Sequence, residues 1–259
     1  MSFSDLDRAA RAPLRTLSKE NAGQVGRHLV MVGRLIDTDP ELAYEHAQAA
    51  VRRGGRVDVV REAAGLAAYR TGRYAEALRE LRTVRRLNGS SEHLAVMADC
   101  ERGLGRPERA IALAQSPEAQ TLAAEATVEL AIVVSGARLD LGEPEAAVAA
   151  LAAPSLRKLT GVIGVRVAQA RSAALEAAGR PADAAAELAG YSAEQLAEAS
   201  GEVDDEDDVV VFDVEEELDE LDGADAGGEP TSDDLDDLDD LPVDEEAAAS
   251  PSADQEDDR

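Results

Sequence analysis

Along positions 19–199 apolar residues recur three and four apart, in runs separated by short polar breaks. That period belongs to helices with one buried stripe; a half-buried strand would alternate instead. The pattern predicts helices near 19–36, 40–53, 57–71, 74–87, 91–104, 107–115, 119–141, 144–152, 158–178, 181–189 and 192–199, with a bend in the long 119–141 segment near Ser135-Gly136. Aromatic residues make up only 2% of the chain, fewer than a sheet protein would use, so the body is expected to be all-α.

The breaks repeat. Thr38-Asp39-Pro40, Gly72-Arg73-Tyr74, Gly105-Arg106-Pro107, Gly142-Glu143-Pro144 and Gly179-Arg180-Pro181 put their third residues at 40, 74, 107, 144 and 181, with separations of 34, 33, 37 and 37. A nearly constant period in this range is the mark of stacked helical hairpins. More than the turn recurs. Three positions after each third residue stands alanine (Ala43, Ala77, Ala110, Ala147, Ala184), and seven after it Leu or Ala (Ala47, Leu81, Ala114, Leu151, Leu188). One or two positions after it stands an acid (Glu41, Glu76, Glu108, Glu145, Asp183). Nine positions before the last four stand Gly65, Ala98, Ser135 and Ser172, where the first repeat has Met31. Each choice has a local cause. Glycine ends a helix in the left-handed conformation without steric cost, and proline opens the next one where its missing N–H has no partner. An acid in the first turn suits the positive helix end, and small residues let two helix backbones approach.

"GLAAYRTGRYAEALREL" (65–81) carries these features most completely, and over roughly residues 20–195 the chain resembles the tetratricopeptide repeat (TPR) family. Gly65 and Ala77 stand where that family places its small residue and its alanine. The family's early Trp and mid-helix aromatic are mostly replaced by Ala, Val or Leu, and the 37-residue spacings put Ser116-Pro117 and Pro154-Ser155 in lengthened connections, so units three to five are TPR-like. The resemblance implies a right-handed superhelix of about five hairpins, whose first helices line a groove that receives extended peptides or helices. Carried over by register, it turns His28, Glu62, Tyr69, Arg70, Glu92, Asp99, Arg102, Asp140, Arg166, Gln169 and Glu176 toward that groove. The Lys/Asn clamp with which some TPR domains hold a terminal carboxylate is not expected. The body has only Asn21, Asn88, Lys19 and Lys158, none at matching positions.

Charge divides the chain. Of the formal net charge of −28, residues 201–259 contribute 28 acids against the single Arg259, while residues 1–200 are nearly neutral. Self-repulsion and few apolar residues predict a disordered acidic tail over 201–259, after an N-terminal extension (1–18) and the repeat domain (19–200). Two segments of the tail, "VVVFDV" (209–214) and "DDLDDLDDL" (233–241), have the composition of docking motifs or of an arm that shields a basic face of the repeats. Such a face is offered by Arg79, Arg82 and Arg86, spaced i, i+3, i+7, with Arg85 beside them.

Chemistry is sparse. His28, His46 and His93 are expected in different units, at no metal-ligand spacing. Cys100 falls on a buried stripe, and as the only cysteine it forms no internal disulfide, in keeping with a reducing cytoplasm. Neither a phosphate-cradling glycine loop nor a nucleophile elbow occurs, and apolar runs such as Leu130–Val134 are far too short for a membrane span. The expectation is a cytoplasmic, non-catalytic scaffold without cofactor or metal, binding a protein or peptide. The alternative is a nucleic-acid- or ribosome-associated factor that uses the arginine face, although no aromatic stacking platform accompanies it.

Overall fold

Every turn triplet delivers its third residue as the first residue of a helix. The computed structural model describes residues 3–201, in which the helices are α1 (Arg8–Leu14), α2 (Lys19–Leu35), α3 (Pro40–Gly54), α4 (Asp58–Arg70), α5 (Tyr74–Asn88), α6 (Leu94–Gly103), α7 (Pro107–Ala114), α8 (Ala124–Asp140), α9 (Pro144–Ala150), α10 (Gly161–Ala177), α11 (Pro181–Leu188) and α12 (Ala193–Ser200). Among the described residues there is no strand. Five hairpins result: α2/α3, α4/α5, α6/α7, α8/α9 and α10/α11.

The last four hairpins share one turn. Gly72, Gly105, Gly142 and Gly179 adopt φ of +71°, +69°, +71° and +71°. The N–H that follows each glycine reaches back into the finished helix: Arg73 to the Ala68 carbonyl at 2.8 Å, then Arg106 to Glu101, Glu143 to Arg138 and Arg180 to Leu175, each at 2.9 Å. This satisfies carbonyls that the helix end would otherwise leave without partners. The first turn has no glycine. There the Asp39 N–H bonds the Leu35 carbonyl at 2.7 Å, and the Asp39 carboxylate caps α3 by accepting from the Leu42 N–H at 3.1 Å.

The repeated small residues sit where the two helices of a hairpin touch. Ala43, Ala77, Ala110, Ala147 and Ala184 are all fully buried. A Cβ on Gly65 would lie 2.7 Å from a Leu81 methyl, which explains why this position stays small. In the fourth and fifth units the same position is serine, and it bonds across the hairpin: Ser135 Oγ to the Ala147 carbonyl and Ser172 Oγ to the Ala184 carbonyl, both at 3.1 Å.

Hairpins pack in chain order, α3 on α4, α5 on α6, α7 on α8 and α9 on α10. First helices also meet directly, α2 with α4, α6 with α8 and α8 with α10, and α10 in turn meets α12. α8 and α10 touch neighbours on several sides and are accordingly apolar around most of their circumference. The expected 119–141 helix divides: a 3-10 turn occupies Pro117–Thr121, and α8 then runs through Ser135 and Gly136 without interruption. At the front, α1 packs on α2 and α4, with Leu14 fully buried among Val25, Leu29, Ala50, Val57 and Val60. The acidic segment from 202 onward, with its "VVVFDV" and "DDLDDLDDL" stretches, lies outside the described residues. No helix among the described residues is long and apolar enough to cross a membrane.

Candidate functional site

The first helices carry most of the residues that the register turns toward the groove, and the structure joins these residues from one unit to the next. Tyr69 on α4 donates its hydroxyl to Asp99 Oδ2 on α6 at 2.7 Å. Asp99 also accepts from Arg102 Nη1 at 2.8 Å. Arg102 then forks onto Asp140 of α8, Nε to Oδ2 at 2.8 Å and Nη2 to Oδ1 at 3.3 Å. The guanidinium lies flat on the α8 backbone, since a Cβ on Gly136 would meet Arg102 Cζ at 2.5 Å. A planar, bidentate guanidinium is the group best suited to such a seam.

Further links follow the same plan. Glu62 on α4 faces His93 Nε2 at 3.2 Å, and Arg70 donates to Asp37 at 2.6 Å. Arg166 on α10 pairs with Glu129 on α8. Gln169 donates to the Leu196 carbonyl and to Ser200 Oγ of α12, each at 2.9 Å. Glu92 and Glu176 remain exposed. Most of the candidate groove residues thus form a ladder of polar rungs, roughly one per unit boundary, rather than a row of free ligand contacts.

One part of this face is concave. Tyr74, Asp99, Arg102, Glu108, Asp140 and Leu141 line an open cleft of about 600 Å³. Gly103 and Gly105 also border it. A Cβ on Gly103 would sit 2.4 Å from the Tyr74 ring, so glycine lets the aromatic lie against α6. Burial and the Asp99 bond push the Tyr69 hydroxyl above its usual range. It stays protonated and fixed as a donor.

No family model, no curated protein and no solved structure matches the chain. What the surface can do is therefore read from its own groups.

The arginine face is largely engaged. Arg79 reaches Glu80 at 3.1 Å and Glu76 at 3.4 Å, Arg82 bonds Glu101 at 2.8 Å, and Arg85 pairs with Glu118. Arg86 is exposed with no ion pair among the described residues. Glu80 and Glu101 are only 3% and 2% exposed. Arg61 completes the first site with a bond to Glu80 at 2.7 Å. The arginines beside these two carboxylates counter the cost of burying them. Arg171, 5% exposed, donates to Glu187 at 3.0 Å and to the Leu151 carbonyl at 2.6 Å, which ties α10 to α11 and to the end of α9.

Cys100 is fully buried, and burial followed by the charges of Asp99 and Glu101 pushes its thiol up to about 12. A thiol so placed is not a nucleophile at neutral pH. Sequence reading missed the partners on the other side of each rung, Asp37, His93 and Glu129. It also missed the meeting of His28 with His46, whose Nδ1 atoms stand 2.9 Å apart. The available signal was the period itself: Asp37–Arg70, Glu62–His93, Tyr69–Asp99 and Glu129–Arg166 are each separated by about one unit.

Proposed function

We propose that residues 19–200 wind into a right-handed TPR-like superhelix and serve in the cytoplasm as a non-catalytic scaffold for protein–protein interaction, with the acidic segment 201–259 as a separate docking arm. The observation that carries this reading is the common register of the five hairpins. All five second helices begin at the third residue of a turn triplet, and the alanine three positions further on is fully buried in all five. Units built alike and stacked in order bring their first helices to one continuous face, and the cross-unit rungs hold that face rigid. A rigid face with an open cleft favours an extended segment or a helix laid across several units. The engaged state of Arg79, Arg82 and Arg85 gives no support to the nucleic-acid alternative.

The test is affinity capture with the full chain and with a Glu108→Lys/Glu176→Lys variant, both exposed positions on or near the first-helix face. Partners retained saturably by the wild type should bind the variant about tenfold more weakly, a change of ~1.4 kcal/mol, at unchanged helical content. Equal binding to both proteins would move the site elsewhere. Binding of single-stranded RNA at low salt that falls steeply as salt is added would replace this reading with the nucleic-acid one.

A further inference from the structure

The chain has three histidines, and the repeat body treats them in opposite ways. His28 on α2 and His46 on α3 face each other across the first hairpin, with Nδ1 to Nδ1 at 2.9 Å, ring centroids 5.2 Å apart and planes tilted by 46°. At that distance one Nδ1–H donates and the other Nδ1 accepts through its lone pair. If both rings become imidazolium, two donors and two positive charges point at each other and the bond is lost. The charges acting on His28 come from both helices of the hairpin: His46, Arg53 and Arg52 on α3, and Arg27 on α2. Glu45 is the only carboxylate in the open cleft of about 410 Å³ that the two histidines border, and it is itself exposed. Burial first, and then those cationic neighbours, hold His28 below its ordinary 6.5. The same guanidinium groups oppose a metal cation at this pair.

His93 sits at the start of α6 and has the reverse environment. Its Nε2 stands 3.2 Å from Glu62 Oε1 on α4, so it bridges the second and third units. The hydrogen bond to Glu62 raises its proton affinity, burial opposes this, and the charges of Glu62 and Glu92 add to the rise.

We propose that the repeat body contains a two-sided pH device: acidification loosens the α2/α3 hairpin by placing a positive charge on His28 opposite His46 and among Arg27, Arg52 and Arg53, while it tightens the α4–α6 seam through Glu62–His93. The signs follow from proton linkage. A histidine held below its unfolded value stabilises the fold above that value and gives up the contribution as pH falls through it, so the first hairpin weakens on acidification below 6.5. A histidine held above its unfolded value contributes fully below 6.5 and loses the contribution as pH rises through its folded value. The consequence is a change in where the stack is loose, with the N-terminal hairpin yielding first in acid.

The test is imidazole NMR titration of the full chain together with amide hydrogen exchange at about pH 5.5 and about pH 7.5, each rate divided by its intrinsic value so that only opening is compared. His28 should titrate below 6.5 and His93 above it. Opening of 19–54 should become severalfold more frequent in acid, while 58–103 stays equal or becomes slower. His46→Gln keeps a hydrogen-bonding side chain that does not titrate. It should raise the His28 midpoint and flatten the pH dependence of 19–54 without changing that of 58–103. His28 titrating at or above the ordinary histidine value, a midpoint indifferent to His46→Gln, or equal acid response in both segments would overturn the proposal.

Discussion

The first two hairpins and the last three solve the same packing problem differently. α3 and α5 are fifteen residues each, whereas α7, α9 and α11 have eight, seven and eight. The cause is local in two of the three short cases: Ser116-Pro117 and Ala153-Pro154 lie just past α7 and α9, and the residue before a proline is driven out of helical geometry. In the early units, long amphipathic helices use their extra turns for polar contacts, such as Gln48 donating to Glu76 at 2.7 Å, Arg82 donating to Glu101 at 2.8 Å and Arg85 pairing with Glu118. In the later units the short second helices are rich in alanine. There α8 and α10, seventeen residues each, take over as apolar centres packed from several sides. One turn geometry therefore supports two kinds of cohesion, one with more side-chain polarity and one with more apolar burial.

The sharpest way to break this comparison is to truncate the same repeat position in both regions. Leu81 is 1% exposed in the second unit, while its equivalent Leu188 is only half-buried. Leu81→Ala should cost about 2–5 kcal/mol in urea unfolding and Leu188→Ala less than half of that. Equal losses would mean that the fifth unit is as tightly packed as the second.

Next in size is Arg171, the buried cation that holds the last hairpin to the end of α9. Arg171→Ala should lower stability by about 2 kcal/mol, because it strips the Leu151 carbonyl and Glu187 of a charged donor. Arg171→Met, which keeps much of the volume, should recover part of the loss. Thermal unfolding of both variants gives the measurement.

A third change compares turns rather than cores. Gly142 has φ +71° with open space around its missing Cβ, so Gly142→Ala costs only the left-handed backbone. The expectation is about 1–2 kcal/mol, and the same for Gly72→Ala, since the two turns match. Unequal values would show that the shared geometry hides unequal strain. Smallest of all, Arg86→Gln should change stability by no more than about 0.5 kcal/mol. Arg82→Gln, four residues earlier on α5, leaves buried Glu101 without its nearest cation and should cost more.

What the sequence made legible were requirements imposed by the backbone. A left-handed glycine, a proline at the start of a helix and an alanine pressed against a neighbouring helix each depend on a few adjacent residues. For that reason the triplets located the starts of α3, α5, α7, α9 and α11 to the residue. The pairing of candidate groove residues was not legible in the same way. The resemblance to the TPR register implied one face for Tyr69, Asp99, Arg102 and Asp140, but their mutual bonds depend on how far one unit rotates against the next. Glu80 and Glu101 show the same limit. Each looks like an ordinary charged position on a helix surface until the preceding helix brings an arginine against it. Ser135 and Gly136 suggested a bend because both weaken a helix. Instead one bonds the Ala147 carbonyl and the other makes room for Arg102, so the small residues serve contacts outside their own helix.

The matching serine bonds of the fourth and fifth hairpins, displaced by one 37-residue period, have a consequence for how such a chain can change length. Excising residues 144–180 would join Glu143 directly to Pro181 and recreate the turn Gly-Glu-Pro with its alanine three positions on. Duplicating the same stretch would add one further turn, Gly-Arg-Pro, again with an alanine three positions on. Joints that are interchangeable in this way let gene rearrangement add or subtract whole links, and so alter the reach of the surface in fixed steps without redesigning any hinge.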